Sequence, residues 1–257
     1  MVAEILARNR NAMTPEPTKR KHIGMLTPSS NTVLEPVTAA MLADLPDVTA
    51  HFGRFRVTEI SLGEKALAQF DDTPILAAAE LLADARAGAI VWNGTSASWL
   101  GLDADRRLCA RIAERTGAKA GTSVLALMEL FRAMNVKRYG LVTPYLDDVQ
   151  AKIVANFERE GLTCAAERHT GERVNYAFAE IEEATIARLI REVAAAKPDA
   201  IVILCTNMRG GKIAAELERE LGIPVLDTVA TAVWTGLRLI GEKPARVQGW
   251  GRLFEIP

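Results

Sequence analysis

Apolar residues are laid along this chain in two alternating textures. Short unbroken runs, over residues 23–26, 89–92, 139–142 and 200–204, each end abruptly in loops of Thr, Pro, Gly, Asn or Cys. Between them lie longer segments in which apolar positions recur at helical spacing. Over 74–87, Ile75, Ala78, Leu81, Leu82 and Ala85 share one stripe, and 148–160, 183–196 and 212–221 have the same texture. Gly161 and Gly222 stand where a left-handed glycine stops a helix. Strands apolar on both faces, alternating with amphipathic helices, predict parallel sheets covered on both sides.

The pattern occurs twice. Ile23-Gly-Met-Leu-Thr-Pro28 is echoed by Tyr139-Gly-Leu-Val-Thr-Pro144, at an offset of 116. Ala89-Ile-Val-Trp-Asn-Gly-Thr-Ser96 is echoed by Ala200-Ile-Val-Ile-Leu-Cys-Thr-Asn207, at an offset of 111. Gly117, with the segment 123–131 after it, is matched by Gly222 and the segment from 228, at 105. Offsets that shrink slowly in one order are the mark of a duplication with small loop deletions. The fold predicted is α/β: two duplicated, doubly wound parallel-sheet lobes related by a pseudo-twofold axis, with the active site between them. The lobes are expected over 21–137 and 138–257, the last segment being free to pack back on the first lobe. Residues 1–20 read as a flexible tail without the roughly 7–15-residue apolar stretch of a secretory signal. Glu4 and Glu16 argue against a mitochondrial presequence, and Met13 is an alternative start to Met1.

Composition narrows the function classes. Against 31 Lys+Arg stand 32 Asp+Glu, so the basic balance of a nucleic-acid binder is missing. An apolar fraction of 49% supports a large core and excludes general disorder. No apolar run approaches the ~18 residues of a membrane span. Three cysteines without short pairing fit a reducing cytoplasm. His22, His51 and His169 are too scattered for a zinc site or a histidine-based triad, so no metal is expected.

Open parallel sheets bind ligands beyond the carboxyl ends of their strands. The four loops there read Thr27-Pro-Ser-Ser-Asn-Thr32, Asn93-Gly-Thr-Ser-Ala-Ser98, Thr143-Pro-Tyr145 and Cys205-Thr-Asn207. They are nearly uncharged and rich in hydroxyls and amides, a donor set suited to carboxylate oxygens. The repeat makes Gly94 and Cys205 equivalent, which singles out Cys205 at a strand tip. Cys109, in a helical segment, and Cys164 read as structural or incidental thiols. No G-x-G-x-x-G follows the first strand, and Arg209-Gly-Gly-Lys212 reads as a helix start rather than a phosphate loop. Asp147-Asp148 reads as an N-cap and first-turn acid. Trp99 and Trp234 read as core.

These four loops resemble those of the aspartate/glutamate racemase superfamily, in the branch of maleate cis–trans isomerases and arylmalonate decarboxylases. The resemblance covers residues 21–254. It implies a cofactor-free enzyme with one cysteine available from each lobe at equivalent positions. This chain departs from the two-cysteine pattern: Gly94 stands where the first-lobe cysteine would be, as in the arylmalonate decarboxylases. Tyr145-Leu-Asp-Asp-Val149 and Gly249-Trp-Gly-Arg-Leu-Phe254 are also similar to those enzymes. Ser29-Ser30-Asn31-Thr32 and Asn175 are instead similar to the isomerase pattern, in which asparagines hold a substrate carboxylate.

One cysteine supports two reactions. In the first, favoured here, a malonate-like diacid loses CO2. Donors from Thr95, Ser96, Tyr145, Thr206 and Asn207 hold the enediolate, and Cys205 protonates one face. In the second, a Cys205 thiolate adds to an unsaturated diacid, the bond rotates, and the thiolate leaves. Racemisation loses its second base at Gly94. A non-catalytic carboxylate binder is the remaining alternative; in either case Ser29, Asn31 and Asn175 complete the candidate substrate-binding set. The partner expected is a small dicarboxylate, with neither nucleic acid nor membrane, and the resemblance implies a homodimer. An apolar pocket favours an aryl substituent on the substrate; Asn31 and Asn175 pointing inward favour a second carboxylate.

Overall fold

The computed structural model describes residues 20–257, so the reading of a flexible tail lies, except for Arg20, outside the described residues. The first half runs β1 (Lys21–Pro28), α1 (Leu34–Met41), β2 (Val48–Phe55), α2 (Glu64–Leu67), α3 (Asp72–Asp84) and β3 (Ala89–Trp92). It continues through α4 (Ala97–Leu100), α5 (Leu102–Thr116), β4 (Lys119–Thr122) and α6 (Ser123–Ala133). The second half runs β5 (Arg138–Thr143), α7 (Asp147–Arg159), β6 (Thr163–His169), a 3-10 segment (Asn175–Glu180) and α8 (Glu183–Ala194). After it come β7 (Ala200–Ile203), α9 (Gly211–Leu221), β8 (Val225–Asp227) and α10 (Thr228–Leu239).

Each half forms one four-stranded sheet, ordered β2-β1-β3-β4 and β6-β5-β7-β8, with every pairing parallel. The apolar runs are β1, β3, β5 and β7, the inner strands, buried on both faces. The other four strands are edges. In β2 and β6 most residues are half-buried, and β4 and β8 have only 4 and 3 residues. His22 falls within β1, and Cys164 lies in β6.

The duplication extends to packing detail. Gly24 of β1 and Gly140 of β5 are repeat equivalents, and each lets a covering helix approach the sheet. A Cβ on Gly24 would lie 3.1 Å from Leu82 of α3; one on Gly140 would lie 2.3 Å from Val193 of α8. The helices after β4 and β8 are capped at equivalent positions. Thr122 Oγ1 accepts from the Leu125 N–H at 3.0 Å, and Asp227 Oδ1 accepts from the Val229 and Ala230 N–H groups at 2.9 and 3.3 Å. One such bond contributes about 1 kcal/mol.

The last helix crosses to the other lobe: Gly236 of α10 packs on Ile23 and Val91 of the first sheet. Trp234, on the same helix, donates from Nε1 to the Ile256 carbonyl at 2.9 Å, as befits a core residue. Beyond α10, Arg246 pairs with Asp47 of the first lobe, while the Arg252 N–H donates to Glu218 of the second. The expected N-cap at Asp147-Asp148 is corrected. Helix α7 begins at Asp147, Leu146 holds the cap position without a side-chain bond, and Asp147 turns instead to His169 Nε2 at 2.7 Å. Among the described residues no helix is long and apolar enough to cross a membrane.

Candidate active site

The two sheets present the carboxyl ends of their strands to each other, and the loops leaving β1, β3, β5 and β7 meet there. Around the meeting point Pro28, Trp92, Gly94, Thr95, Ser96, Tyr145, Cys205 and Thr206 line one cavity. Val57, Ile60, Phe70, Trp99, Asn175 and Phe178 complete it. The free space is about 20 Å³, close to what one water molecule occupies. A diacid therefore enters only when the lining side chains or loops move.

Thr95 Oγ1 and the Tyr145 hydroxyl share a 2.7 Å hydrogen bond, and Ser96 Oγ accepts from Trp92 Nε1 at 3.2 Å. Among the described residues the backbone N–H groups of Thr95, Ser96 and Thr206 donate to nothing. The two loops carrying them are tied down: Ser123 Oγ donates to the Gly94 carbonyl at 2.5 Å, Ser98 Oγ to the Thr95 carbonyl at 2.6 Å, and Thr206 Oγ1 joins the loops by donating to the Asn93 carbonyl at 3.3 Å. Free donors held by a fixed backbone are the equipment of an oxyanion hole.

Cys205 follows the tip of β7, 3% exposed. Burial pushes its thiol up to about 12, outweighing the Asn207 N–H and the Tyr145 hydroxyl, which favour the thiolate; the buried Asp227 carboxyl adds to the upward push. The Asn207 N–H lies 3.4 Å from Sγ. Burial thus favours the thiol form of Cys205 over the thiolate in this closed site. Cys109 is likewise pushed up to about 12 by burial in α5, and Cys164 is raised for the same reason in β6; neither lines the cavity.

The sequence candidates divide into two groups. The cavity gathers Gly94, Thr95, Ser96, Tyr145, Asn175, Cys205 and Thr206. Ser29, Asn31 and Asn207 lie outside its lining. Exposed Ser29 accepts from the Val57 N–H at 3.1 Å. Asn31 Oδ1 accepts from the Val33 and Leu34 N–H groups at the start of α1, while Nδ2 donates to Thr206 Oγ1 at 3.2 Å. Asn207 joins three segments: Oδ1 accepts from the Thr32 N–H at 3.0 Å and Nδ2 donates to the Asn175 carbonyl at 2.6 Å. Both asparagines thus tie loops of the two lobes together. The lining residues not foreseen are Pro28, Val57, Ile60, Phe70, Trp92, Trp99 and Phe178. Trp99, read above as core, faces Tyr145 and Phe70 edge-on, and its Nε1 has no partner. Only Pro28 of the seven lies within the strand-tip loops that sequence could single out: Trp92 and Trp99 flank one of those loops, Val57, Ile60 and Phe70 follow β2, and Phe178 follows β6.

Among the described residues no group of three or more His, Cys, Asp or Glu side chains could hold a metal ion. Duplicated α/β lobes with a cysteine, donor-bearing loops and an apolar wall at their junction define the racemase-like architecture that the loops suggested. Residues 23–254 match the family described as arylmalonate decarboxylase, and the chain belongs to that family. The arylmalonate decarboxylase of Bordetella bronchiseptica is 29% identical over 236 residues, 91% of this chain and 96% of that protein. The maleate isomerase of Nocardia farcinica is 30% identical over 241 residues, 91% and 95% of the two chains. A cysteine-to-serine variant of a Nocardia farcinica maleate cis–trans isomerase, with a covalently bound succinylcysteine intermediate, superposes with a TM-score of 0.83 at 28% identity, covering 91% and 98%. A liganded arylmalonate decarboxylase variant, with a glycine changed to cysteine and a cysteine to serine, gives 0.80 at 26% identity, covering 91% and 99%.

Proposed function

We propose that this protein is a cofactor-independent decarboxylase of α-substituted malonates in which Cys205 is the proton donor. The observation that carries this reading is a buried, protonated thiol in a largely apolar cavity, with glycine at the equivalent position of the other lobe. The leaving carboxylate sits against apolar walls of Val57, Ile60, Phe70 and Phe178, where its charge is poorly solvated. Its C–C bond breaks, CO2 departs, and the electron pair is left on the α-carbon and delocalised into the retained carboxylate as an enediolate. Thr95, Ser96, Tyr145 and the free N–H groups beside them hold the enediolate oxygens. The Cys205 thiol gives its proton to the α-carbon, and the resulting thiolate recovers a proton from water.

Cis–trans isomerisation of an unsaturated diacid is the second reading, favoured by Asn175 in the lining and by the family's isomerase relatives. It needs a thiolate as the resting nucleophile, which burial disfavours. It is also helped by a second carboxylate pocket, and Asn31 is already committed to α1 and Thr206. The test is to incubate the purified chain with phenylmalonate and with maleate, following CO2 release and the cis-to-trans shift. CO2 release, falling at least 10²–10³-fold in Cys205→Ser, is expected. Conversion of maleate without decarboxylation of any malonate overturns the proposal in favour of the isomerase. Ligand binding unaltered by Cys205→Ser, with no turnover, points to a carboxylate binder.

A further inference from the structure

Trp92, the last residue of β3, lines the first-lobe side of the cavity. A Cβ built on Gly94 would lie 2.2 Å from Trp92 Cζ2, 2.4 Å from Cη2 and 2.6 Å from Cε2. Contacts that short are not sustained by real atoms, so the benzo ring of the indole occupies the volume that any side chain at position 94 would need. The ring cannot simply swing away, because it is 1% exposed and packs against Phe55 with centroids 5.1 Å apart. Its other edge does something different. Nε1 donates to Ser96 Oγ at 3.2 Å, using one acceptor site of that hydroxyl. The Ser96 proton then has no acceptor among the described residues and is left for a ligand oxygen.

We propose that Trp92 is the specificity-determining residue of this site: its ring closes the first-lobe face against a second acid–base group, and its N–H orients the Ser96 hydroxyl toward the substrate. The inference rests on the decarboxylase reading for its chemical consequence, and on packing alone for its structural half. Its consequence is one-sided proton delivery. With the indole present, the face of the α-carbon opposite Cys205 meets a flat hydrocarbon surface, so the substituents tolerated there are thin ones that lie against it. Trp92 acts on the reaction through Ser96 and through excluded volume, which makes it a positioning residue.

Two measurements on the full chain test this. The first is a stability cycle of Gly94→Ala, Trp92→Phe and the double variant. Phenylalanine lacks the outer Cζ2 and Cη2 atoms of the indole, the two nearest the added Cβ, and Trp92→Leu serves if the smaller ring turns into the same space. Gly94→Ala alone is expected to lower Tm by about 3–10 °C, and the same change in the Trp92→Phe background to lower it by about a degree or less. Equal losses in both backgrounds overturn the structural half, whatever the enzyme's reaction. The second measurement is racemisation of a single enantiomer of the product acid, which needs a base on each face of the α-carbon. Gly94→Cys is expected to show none above the parent, and Trp92→Phe/Gly94→Cys at least tenfold more. Racemisation as fast in Gly94→Cys as in the double variant overturns the proposal. Trp92→Phe alone is expected to lower kcat for decarboxylation about tenfold with little change in KM; an unaltered kcat overturns the orienting role. A parent that releases CO2 from no malonate defeats the decarboxylase reading instead, while the Tm cycle still decides where the indole sits.

Discussion

Tyr145 shows how a single residue joins packing to chemistry in this site. Its ring is 2% exposed, held edge-on between Trp99 and Phe178 at centroid distances of 5.2 and 5.6 Å. Aromatic neighbours on both sides fix the ring plane, so the hydroxyl has one position, on Thr95 Oγ1 and near Cys205. Burial holds the phenol well above its ordinary value, so it stays a donor throughout the working range. A donor placed in advance stabilises developing negative charge without reorganising when the charge appears. Tyr145→Phe keeps the ring and its packing and removes only that donor. It is expected to lower kcat by about 10²-fold, with KM changed only a few-fold and far-UV circular dichroism unchanged. A loss in KM alone would show that the hydroxyl serves binding and not the transition state.

At the scale of elements, the junction of β8 with α10 couples a helix cap to the cysteine. Asp227 spends Oδ1 on the first N–H groups of α10, leaving Oδ2 buried without a partner against Gly210. Burial pushes this carboxyl up to about 7 despite those two N–H bonds, and its charge in turn raises Cys205. Asp227→Asn keeps an oxygen for the cap and deletes the charge. The expected result is a Cys205 thiol titrating lower than in the parent, seen as faster iodoacetamide alkylation at a fixed pH near 9; an unchanged pH profile would remove Asp227 from the thiol's environment. Elements such as this one also show how far the sequence could be read. The inner strands and the Gly94–Cys205 equivalence were legible because full burial writes itself as unbroken apolar runs, and duplication aligns them. Edge strands β2 and β6 were not, since a half-covered strand mixes polar and apolar residues without a clean period. The apolar wall was invisible for a related reason. Val57, Ile60 and Phe70 follow an edge strand, and nothing local distinguishes a side chain facing a cavity from one facing the core. Asn31 misled because a loop asparagine serves equally well as a ligand donor and as a cap for the helix that follows.

Across the whole molecule, buried carboxyl groups set how stability depends on pH. Asp105 of α5 is 2% exposed, its Oδ2 has no partner, and burial raises it to about 7, against the opposing effect of Thr122. Asp227 in the other lobe is raised to the same range by the same cause. In the unfolded chain both titrate near 3.8. Between that value and about 7 the folded state therefore binds protons that the unfolded state has released. By linkage, the stability these groups contribute is fully present below pH 3.8 and is lost as pH rises through about 7. His169 acts in the same direction. Burial works against its charged form, but its bonds to Asp147 and Glu167 outweigh that, so its pKa is raised and its contribution is also lost as pH rises. The surface carboxylates of Asp47, Asp71 and Asp199 are held below their ordinary value, Asp47 chiefly by Arg246 and the other two chiefly by backbone N–H groups. Their contribution runs the other way and is lost only as pH falls below about 4. The two sets together place maximal stability on the acid side of neutrality. Tm measured by differential scanning calorimetry is expected to fall between pH 5.5 and 8, by an amount on the order of a few kcal/mol in stability. Asp105→Asn keeps the shape of the side chain and lies outside the cavity lining, so it isolates one of the two carboxyls. It is expected to flatten this slope and to raise Tm at pH 8 relative to the parent. Parallel Tm–pH curves for parent and variant would mean that Asp105 is not protonated in the fold, and that its unpartnered oxygen finds a counter-charge or water within α5 and β4.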